Sequence, residues 1–361
     1  MKDYAIIMAG GIGERLWPLS RESKPKQLLS LYSDKSMIAE TLDRIEPLVP
    51  IERVLLVCGE NMKNMIKAQH TELTDENFLV EPMRRNTASA ILYAASYLKA
   101  KVGDAMMFVL TSDHFIEPRQ TFIDSLKVAK EVAATDRLVL LGVEPTRPET
   151  GYGYIEVDLD KPLEGFESDE VYLAKSFKEK PNRASADQYF IGQNHLWNSG
   201  MFIWKASTIL ASAKLCVPEL AHIFDEYECS VGTDNENDIL KSTFEKAEKI
   251  SIDKGIMERS TDIAVVRANF TWDDLGSWMA FPRIFRPDQN SNTLIGESKS
   301  MRSYTNIIYN KTDKPIVTLG VSDLVIVNTD DVIFVMKTSE HGNMAKLLER
   351  LRDDEDFKKH M

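Results

Sequence analysis

The sequence predicts an α/β protein: a mostly parallel sheet covered by helices on both faces, followed by a small β domain. Three observations lead there. Short apolar runs alternate with helical patterns through the first half of the chain. Those runs are apolar at successive positions, as strands buried on both faces are. Beyond residue 285 the texture changes to short β-rich segments separated by turn residues. In chain order, strands are expected at 4–9, 53–58, 78–80, 105–110 and 138–143. A helix is expected at 87–101, where Ile91, Leu92, Ala95 and Leu98 recur at helical spacing among alanines, and another at 121–134. After Gly142, residues 151–154 and the Pro/Gly/acidic stretch 161–170 predict hairpins and loops beside the sheet. Strands return at 171–178 and 200–204, and 207–249 is mainly helical. The break at 285–290 divides a catalytic domain, 1–285, from a C-terminal domain, 286–361. The latter carries strands at 306–309, 316–319, 324–328 and 332–336, whose even spacing permits a left-handed β-helix-like coil, and then a helical tail at 343–352.

Composition narrows the function. The chain has 361 residues, 43% hydrophobic and 28% charged, and 44 Lys+Arg against 56 Asp+Glu give a net charge of −12. That excludes a disordered chain and a DNA-coating protein, but not an anionic ligand held in a local positive pocket. No stretch approaches the roughly 18 apolar residues of a membrane span, and the apolar start runs into glycines too early for a signal peptide. Cys58, Cys216 and Cys229 form no CxxC and no paired zinc spacing. An odd count without a framework fits a reducing compartment, so the cytoplasm is expected.

The first strand ends in Ala9, Gly10, Gly11 and Gly13. Glycines directly after a buried strand let backbone amides approach a phosphate or a base. Two templates fail: the dinucleotide pattern GxGxxG meets Leu16 where its third glycine belongs, and Arg15 stands where a Walker A motif needs glycine. Such a turn can be no more than a tight connection. Arg15, Pro18, Arg21, Pro25 and Lys26 in one short stretch favour phosphate binding, with Arg15 and Lys26 placed to neutralise charge. Elsewhere the residues read alone leave two choices. Asp113 ends a strong strand, where open α/β sheets place ligands, but a strand-end aspartate is as often a helix cap. Asn86 fits the N-cap of the alanine-rich helix, whose N-terminus also attracts phosphate or ribose. Glu179 and Lys180 fit a solvated charge pair.

The run from Gly10 to Gln27 resembles GGxGxRLxPLSRxxxPKQ, the signature of the nucleotidyltransferases that activate sugar 1-phosphates. Its Trp17 variant is most similar to the mannose-1-phosphate guanylyltransferase (GDP-mannose pyrophosphorylase) branch. Further segments match in order across nearly the whole chain: 81–88 resembles EPxxRNTA, 111–114 resembles PADH, and 147–155, 177–181, 197–202 and 272–278 complete the set. The resemblance implies a Rossmann-like nucleotidyltransferase fold and transfer of GMP from GTP to α-D-mannose 1-phosphate, giving GDP-mannose and pyrophosphate. It implies Mg²⁺ held by Asp113 and Asp274, with Arg15 and Lys26 completing the catalytic set. Nucleotide contacts are implied at Ala9, Gly10, Gly11, Gly13, Glu81, Arg85, Asn86, Thr87 and Asp113. Sugar-phosphate contacts are implied at Gly153, Glu179, Lys180 and Asn198. It also implies a homodimer with no nucleic-acid or membrane partner.

The chemistry agrees with those roles. Nucleotidyl transfer gathers negative charge around the α-phosphorus, which a divalent metal and cationic side chains stabilise. Glu179 and Asn198 can hydrogen-bond hydroxyls, and Lys180 can meet a phosphate as a point charge. A sugar 1-phosphate, with a second pKa of about 6, is largely dianionic at neutral pH, so no general base is required. Asp273 is expected at the surface or behind the metal site, and His114 is expected to orient by hydrogen bonds rather than bind metal. Met8, Met83, Tyr152 and Tyr154 are expected to pack. Arg15, Arg21, Lys24, Lys26 and Lys180 are expected to gather in one cleft. Departures from the branch pattern are small: Thr111, Ser112 and Leu275. Some members carry a C-terminal phosphomannose isomerase domain, and the chain stops before one, so a single activity is expected. Rival readings are a different sugar phosphate (glucose or heptose) or donor (ATP or UTP), and a non-catalytic sensor of sugar nucleotides. Leu16 argues against a dinucleotide oxidoreductase.

Overall fold

The computed structural model describes residues 1–11, 13–166 and 168–361. Ile12, inside the glycine run, and Glu167, inside the acidic loop at 161–170, lie outside the described residues. The chain forms two compact units. The first comprises Met1–Gly10, Thr41–Ser112 and Ile116–Trp272; the second comprises Gly11–Glu40, Asp113–Phe115 and Asp273–Met361. This partition cuts across the boundary expected at 285. The glycine run beyond Gly10, with Asp113, groups with the C-terminal residues.

The strands are β1 (Lys2–Met8), β2 (Val54–Cys58), β3 (Phe78–Val80), β4 (Ala105–Thr111), β5 (Phe115–Glu117), β6 (Leu138–Val143), β7 (Gly153–Glu156), β8 (Val171–Leu173), β9 (Ser176–Lys178), β10 (His195–Lys205), β11 (Ile263–Ala268) and β12 (Thr271–Asp273). The first unit is built on a sheet of order β3-β2-β1-β4-β10-β6-β11-β8, with β7 and β9 added beside β10. β1 pairs in parallel with β2 and β4, and β6 with β11. β10 enters antiparallel between β4 and β6, which makes the sheet mixed. Its register shifts between Asn198 and Phe202, where Gly200 has φ +70°. Such a bulge re-aims the side chains beside it. It also explains why only 200–204 read as strand: polar Asn198 and Ser199 interrupt the apolar run.

Helices α1 (Met37–Ile45), α2 (Glu60–Gln69), α3 (Asn86–Val102) and α4 (Arg119–Ala133) alternate with the first strands; α5 (Arg183–Gly192), α6 (Ala206–Cys216), α7 (Pro218–Ser230) and α8 (Glu236–Lys246) follow later. The alanines of α3 allow close packing: Ala88, Ala90, Ala94 and Ala95 are buried with Ile91, Leu92 and Leu98 in the core that also holds Trp204, Phe224 and Phe244. No helix among the described residues is long and apolar enough to cross a membrane.

The second unit has its own core. Leu16, Trp17, Leu19, Leu29 and Leu31 from the signature segment share it with Trp278, Phe281, Tyr309, Val325, Val327, Phe334 and Leu348. After a short helix α9 (Phe281–Ile284) come β13 (Thr293–Ile295), β14 (Ser298–Met301), β15 (Ile307–Asn310), β16 (Ile316–Leu319), β17 (Leu324–Asn328) and β18 (Ile333–Lys337), then α10 (Met344–Asp353). β13, β15 and β17 form one parallel ladder and β14 and β16 another, so the chain alternates between two ladders as a coil does. Buried asparagines stack between turns: Asn306 Nδ2 donates to Asn292 Oδ1 (3.0 Å) and Asn328 Nδ2 to Asn310 Oδ1 (3.1 Å). β18 closes antiparallel on β17.

Candidate active site

In the second unit the catalytic candidates collect around one buried lysine. The Lys26 side chain is only 4% exposed; its Nζ lies 2.9 Å from Asp113 Oδ2 and donates to the backbone carbonyl of Asp274 at 2.6 Å. An ammonium this buried needs such partners, because desolvation disfavours its charge. Gly13 makes the position possible. It has φ +78°, and a Cβ there would fall 2.5 Å from Lys26 Cβ. Asp274 lies in a tight turn in which Asp273 Oδ1 accepts from Leu275 N–H (2.9 Å) and Asp274 Oδ1 from Gly276 N–H (3.1 Å). Leu275 is buried at φ +46°, a strained conformation for a branched side chain. Gly276 leaves room where a Cβ would meet both Asp274 Oδ2 (2.5 Å) and Arg15 Nη2 (3.0 Å). Lys26, Asp113, Asp274 and Arg15 thus belong to one structural unit although three distant chain segments supply them.

Other expectations for this unit change. Of the two places expected for Asp273 the surface one is excluded: it is buried, and Arg283 Nε donates to its Oδ2, so it braces the turn. Arg21 is not turned toward a phosphate. Its Nη1 and Nη2 form a two-pronged pair with Asp331 at 2.6 and 2.7 Å, and its Nε donates to the Pro18 carbonyl. Lys24 is exposed on the turn closed by reciprocal Arg21 and Lys24 backbone bonds. Among the described residues no group of three or more His, Cys, Asp or Glu could cage a metal. What the unit offers is two carboxylates, an all-oxygen set.

In the first unit the carboxyl ends of β1, β2 and β3 open onto a cavity of about 520 Å³, lined by Ala9, Gly10, Glu81, Met83 and Arg84 and by the start of α2. Ala9 N–H and Glu81 N–H continue the strand ladder to the carbonyls of Val57 and Cys58, which fixes the rim. Burial pushes the Glu81 carboxyl up to about 7, against the opposing pull of Arg84. Met83, expected only to pack, also lines this cavity. Arg85 does not: its guanidinium donates to the carbonyls of Phe244 (2.6 Å) and Glu245 (2.9 Å) near the end of α8. Its neighbour Arg84, which the sequence reading passed over, lines the cavity instead. Asn86 is not the N-cap expected: it is the first residue of α3, with φ +71°, its Oδ1 accepts only from the adjacent Thr87 N–H at 2.8 Å, and the cap position falls to Arg85. The Thr87 hydroxyl accepts from Ile252 N–H at 2.9 Å.

The sugar-site candidates meet elsewhere in the same unit. Asn198 pairs across the sheet with Gly153 on β7. A Cβ on Gly153 would stand 2.7 Å from Glu179 Oε2 and 3.2 Å from Asn198 Cβ, so this glycine makes room for the Glu179 carboxylate itself. Glu179 Oε1 lies 3.0 Å from Lys180 Nζ. Lys180 is held at φ +47° directly before Pro181, a costly backbone state of the kind that collects at functional sites. Two residues sequence reasoning missed complete the cluster. Asp253 Oδ1 accepts from Asn198 Nδ2 at 2.9 Å, and Glu258 Oε1 from Glu179 N–H at 3.1 Å. Tyr152 packs edge-on to Trp197 and Trp272, with Arg147 over the Trp197 ring at 4.9 Å.

A glycine turn, a buried lysine and two aspartates reached by that lysine have known counterparts. The sequence pattern of the nucleotidyl transferase family matches residues 4–291. The chain belongs to that family. Among its relatives, a mannose-1-phosphate guanylyltransferase of Klebsiella pneumoniae is 34% identical over 98% of this chain and 75% of its own length. The mannose-1-phosphate guanylyltransferase RfbM of Salmonella typhimurium is 35% identical over 100% of this chain and 75% of its own. A crystal structure from Thermus thermophilus, described as a mannose-1-phosphate geranyltransferase, superposes with a TM-score of 0.86 at 33% identity, covering 98% of this chain and 100% of that one. The chain is a sugar-1-phosphate nucleotidyltransferase homologous to the mannose-1-phosphate guanylyltransferases.

Proposed function

We propose that the chain transfers GMP from GTP to α-D-mannose 1-phosphate. An oxygen of the sugar phosphate forms the new bond to the α-phosphorus of GTP, and the bond to the β-phosphate oxygen breaks, releasing pyrophosphate. The observation that carries this reading is the buried Lys26 ammonium held between the Asp113 carboxylate and the Asp274 carbonyl, beside Arg15. A centre of fixed charge suits a reaction governed by positioning and electrostatic stabilisation. The relatives named above support mannose 1-phosphate as acceptor and a guanine nucleotide as donor.

Glu81 supports guanine on chemical grounds. Its carboxylate lines the cavity next to Gly10, and a carboxylate accepts from both N1–H and the 2-amino group of guanine, which adenine and uracil cannot offer together. Asp113 and Asp274 fit a magnesium ion, which takes one or two carboxylates and completes its shell with phosphate and water. Bound there, it would neutralise charge on the triphosphate. Arg15 and Lys26 would hold the phosphates of GTP, Lys180 the phosphate of the sugar, and Glu179 and Asn198 its hydroxyls. A homodimer in the cytoplasm is part of the same proposal, and size in solution tests the first half.

The deciding experiment measures pyrophosphate release from GTP, ATP and UTP, each with mannose 1-phosphate and with glucose 1-phosphate, in the presence of Mg²⁺. The GTP and mannose 1-phosphate pair should dominate. A preference for ATP or UTP overturns the donor assignment, and no turnover with any pair favours a sensor. Lys26→Ala should lower kcat by at least about two orders of magnitude, the scale of a lost charge-stabilising group; near-normal turnover would remove Lys26 from the mechanism.

A further inference from the structure

The segment after α8 does something its sequence does not announce. Asp253–Met257 winds as a π-helical turn, closed by Glu258 N–H donating to the Asp253 carbonyl at 2.8 Å. Wide turns of this kind are rare and are frequent at functional sites. Through it one short segment reaches two distant motifs, Asp253 touching Asn198 on β10 and Glu258 holding the backbone of Glu179. The Thr87 hydroxyl ties the turn to the start of α3 by accepting from Ile252 N–H.

The hydrogen bonds also fix which way the Asn198 amide faces. Its Oδ1 accepts from Gly200 N–H at 3.1 Å and its Nδ2 donates to Asp253 Oδ1 at 2.9 Å, which leaves one N–H of the amide for a ligand. Asn198 is therefore a donor toward whatever occupies the site. Acceptors for hydroxyl protons must come from its neighbours, Glu179 and Asp253. The Asp253 carboxylate is partly buried close to the Glu179 carboxylate, while the nearby cation Lys180 is bonded to Glu179. Local packing does not call for a charge here, since an asparagine would accept the same bond from Asn198. A carboxylate kept at this cost points to a ligand that needs it.

We propose that Asp253 is a specificity-determining residue of the acceptor subsite, accepting a hydrogen bond from a ring hydroxyl of the sugar phosphate while it fixes the donor face of Asn198. This rests on the acceptor reading given above for Asn198 and Glu179. It adds an acceptor that no motif in the sequence assigns. The groups facing Asp253 are Asn198 from β10 and Glu179 and Lys180 from the loop after β9. Burial first, then the charge of Glu179, pushes its carboxyl up to about 6. Discrimination by this group should therefore fade as pH falls through that value.

The test compares the wild-type chain with Asp253→Asn, using GTP, Mg²⁺ and the preferred sugar 1-phosphate together with its 2-, 3- and 4-deoxy analogues. Wild type should use one deoxy analogue about 10- to 100-fold less efficiently in kcat/KM, the scale of a hydrogen bond to a charged acceptor. Asp253→Asn should lose most of that discrimination, raise KM for the sugar phosphate, and leave KM for GTP unchanged. The ratio of kcat/KM for sugar phosphate over analogue cancels the ionisation of the phosphate, which both share. In wild type that ratio should fall below about pH 6, and in Asp253→Asn it should be flat. If the variant folds poorly, the wild-type ratio carries the test alone, and a flat ratio between pH 5 and 8 overturns the assignment. Turnover by wild type with discrimination intact in Asp253→Asn overturns the assignment but leaves the acceptor reading standing. Absence of turnover by wild type with any sugar phosphate overturns both.

Discussion

Lys26 and Asp253 carry charge out of water in opposite ways. The ammonium of Lys26 meets a carboxylate and a carbonyl within 3 Å, so its desolvation is largely offset. Asp253 has an amide donor, and the neighbouring carboxylate of Glu179 works against it. Its folded-state pKa of about 6 stands above the ordinary 3.8. The fold therefore favours the protonated form: the stability this group contributes is fully present below about pH 4 and is lost as pH rises through 6. At pH 8 the charge should cost on the order of 1–2 kcal/mol, a full two-unit shift being about 3 and solvent access reducing it. Asp253→Asn should accordingly unfold at a higher temperature than wild type at pH 8, and the two should converge near pH 4. Thermal unfolding followed at both pH values checks this, and coincident midpoints at pH 8 would mean that the carboxylate is well solvated. A substitution that stabilises the fold while weakening discrimination is the usual mark of a residue kept for function.

At the scale of elements, turns set the site. Gly13 is bound by two constraints at once, its positive φ and the Lys26 side chain against its missing Cβ. Gly13→Ala should add about 1–2 kcal/mol of backbone strain and displace Lys26, lowering kcat at least tenfold by the positioning argument. Gly342→Ala, where φ is negative and a Cβ meets nothing within 4 Å, should leave activity and unfolding temperature unchanged. Assaying both variants side by side separates the constraint from a general intolerance of alanine. The strands and α3 were legible in the sequence because continuous apolar runs and alanine at helical spacing leave little choice. The bulge at Gly200 was hidden, because polar residues inside a buried strand look like its end. The π-turn was hidden too: Asp253 and Glu258 are five residues apart, and an α-helix does not bring that spacing to one face. Arg21 and Arg85 misled for a related reason. A cation in a motif reads as a phosphate ligand until its true acceptors are seen, and these are Asp331 and the carbonyls near the end of α8, each more than a hundred residues away.

For the whole molecule the decisive fact is how the second unit is assembled. A composition break near 285 suggested a catalytic domain that ends there, yet the candidate catalytic lysine and both candidate metal ligands belong to the unit that contains residues 286–361. The reason lies in apolar burial. Leu16, Trp17, Leu19, Trp278 and Phe281 have as core partners Ile307, Tyr309, Val325, Val327, Phe334, Met344 and Leu348 from the C-terminal coil and helix. Two tethers reinforce them: Trp17 Nε1 donates to the His360 carbonyl at 2.9 Å, and Arg21 pairs with Asp331. Cutting the chain after residue 285 should therefore expose a tryptophan-rich surface and release the 11–40 segment that carries Arg15 and Lys26, at a cost of several buried large side chains worth about 1.5–3 kcal/mol each. The truncated chain should show no pyrophosphate release above background. Limited proteolysis should cut it within 11–40, while the sheet of the first unit, whose core is separate, should stay protected. An active 1–285 fragment with an uncut signature segment would mean that the C-terminal coil is an accessory and that the boundary at 285 is the functional one.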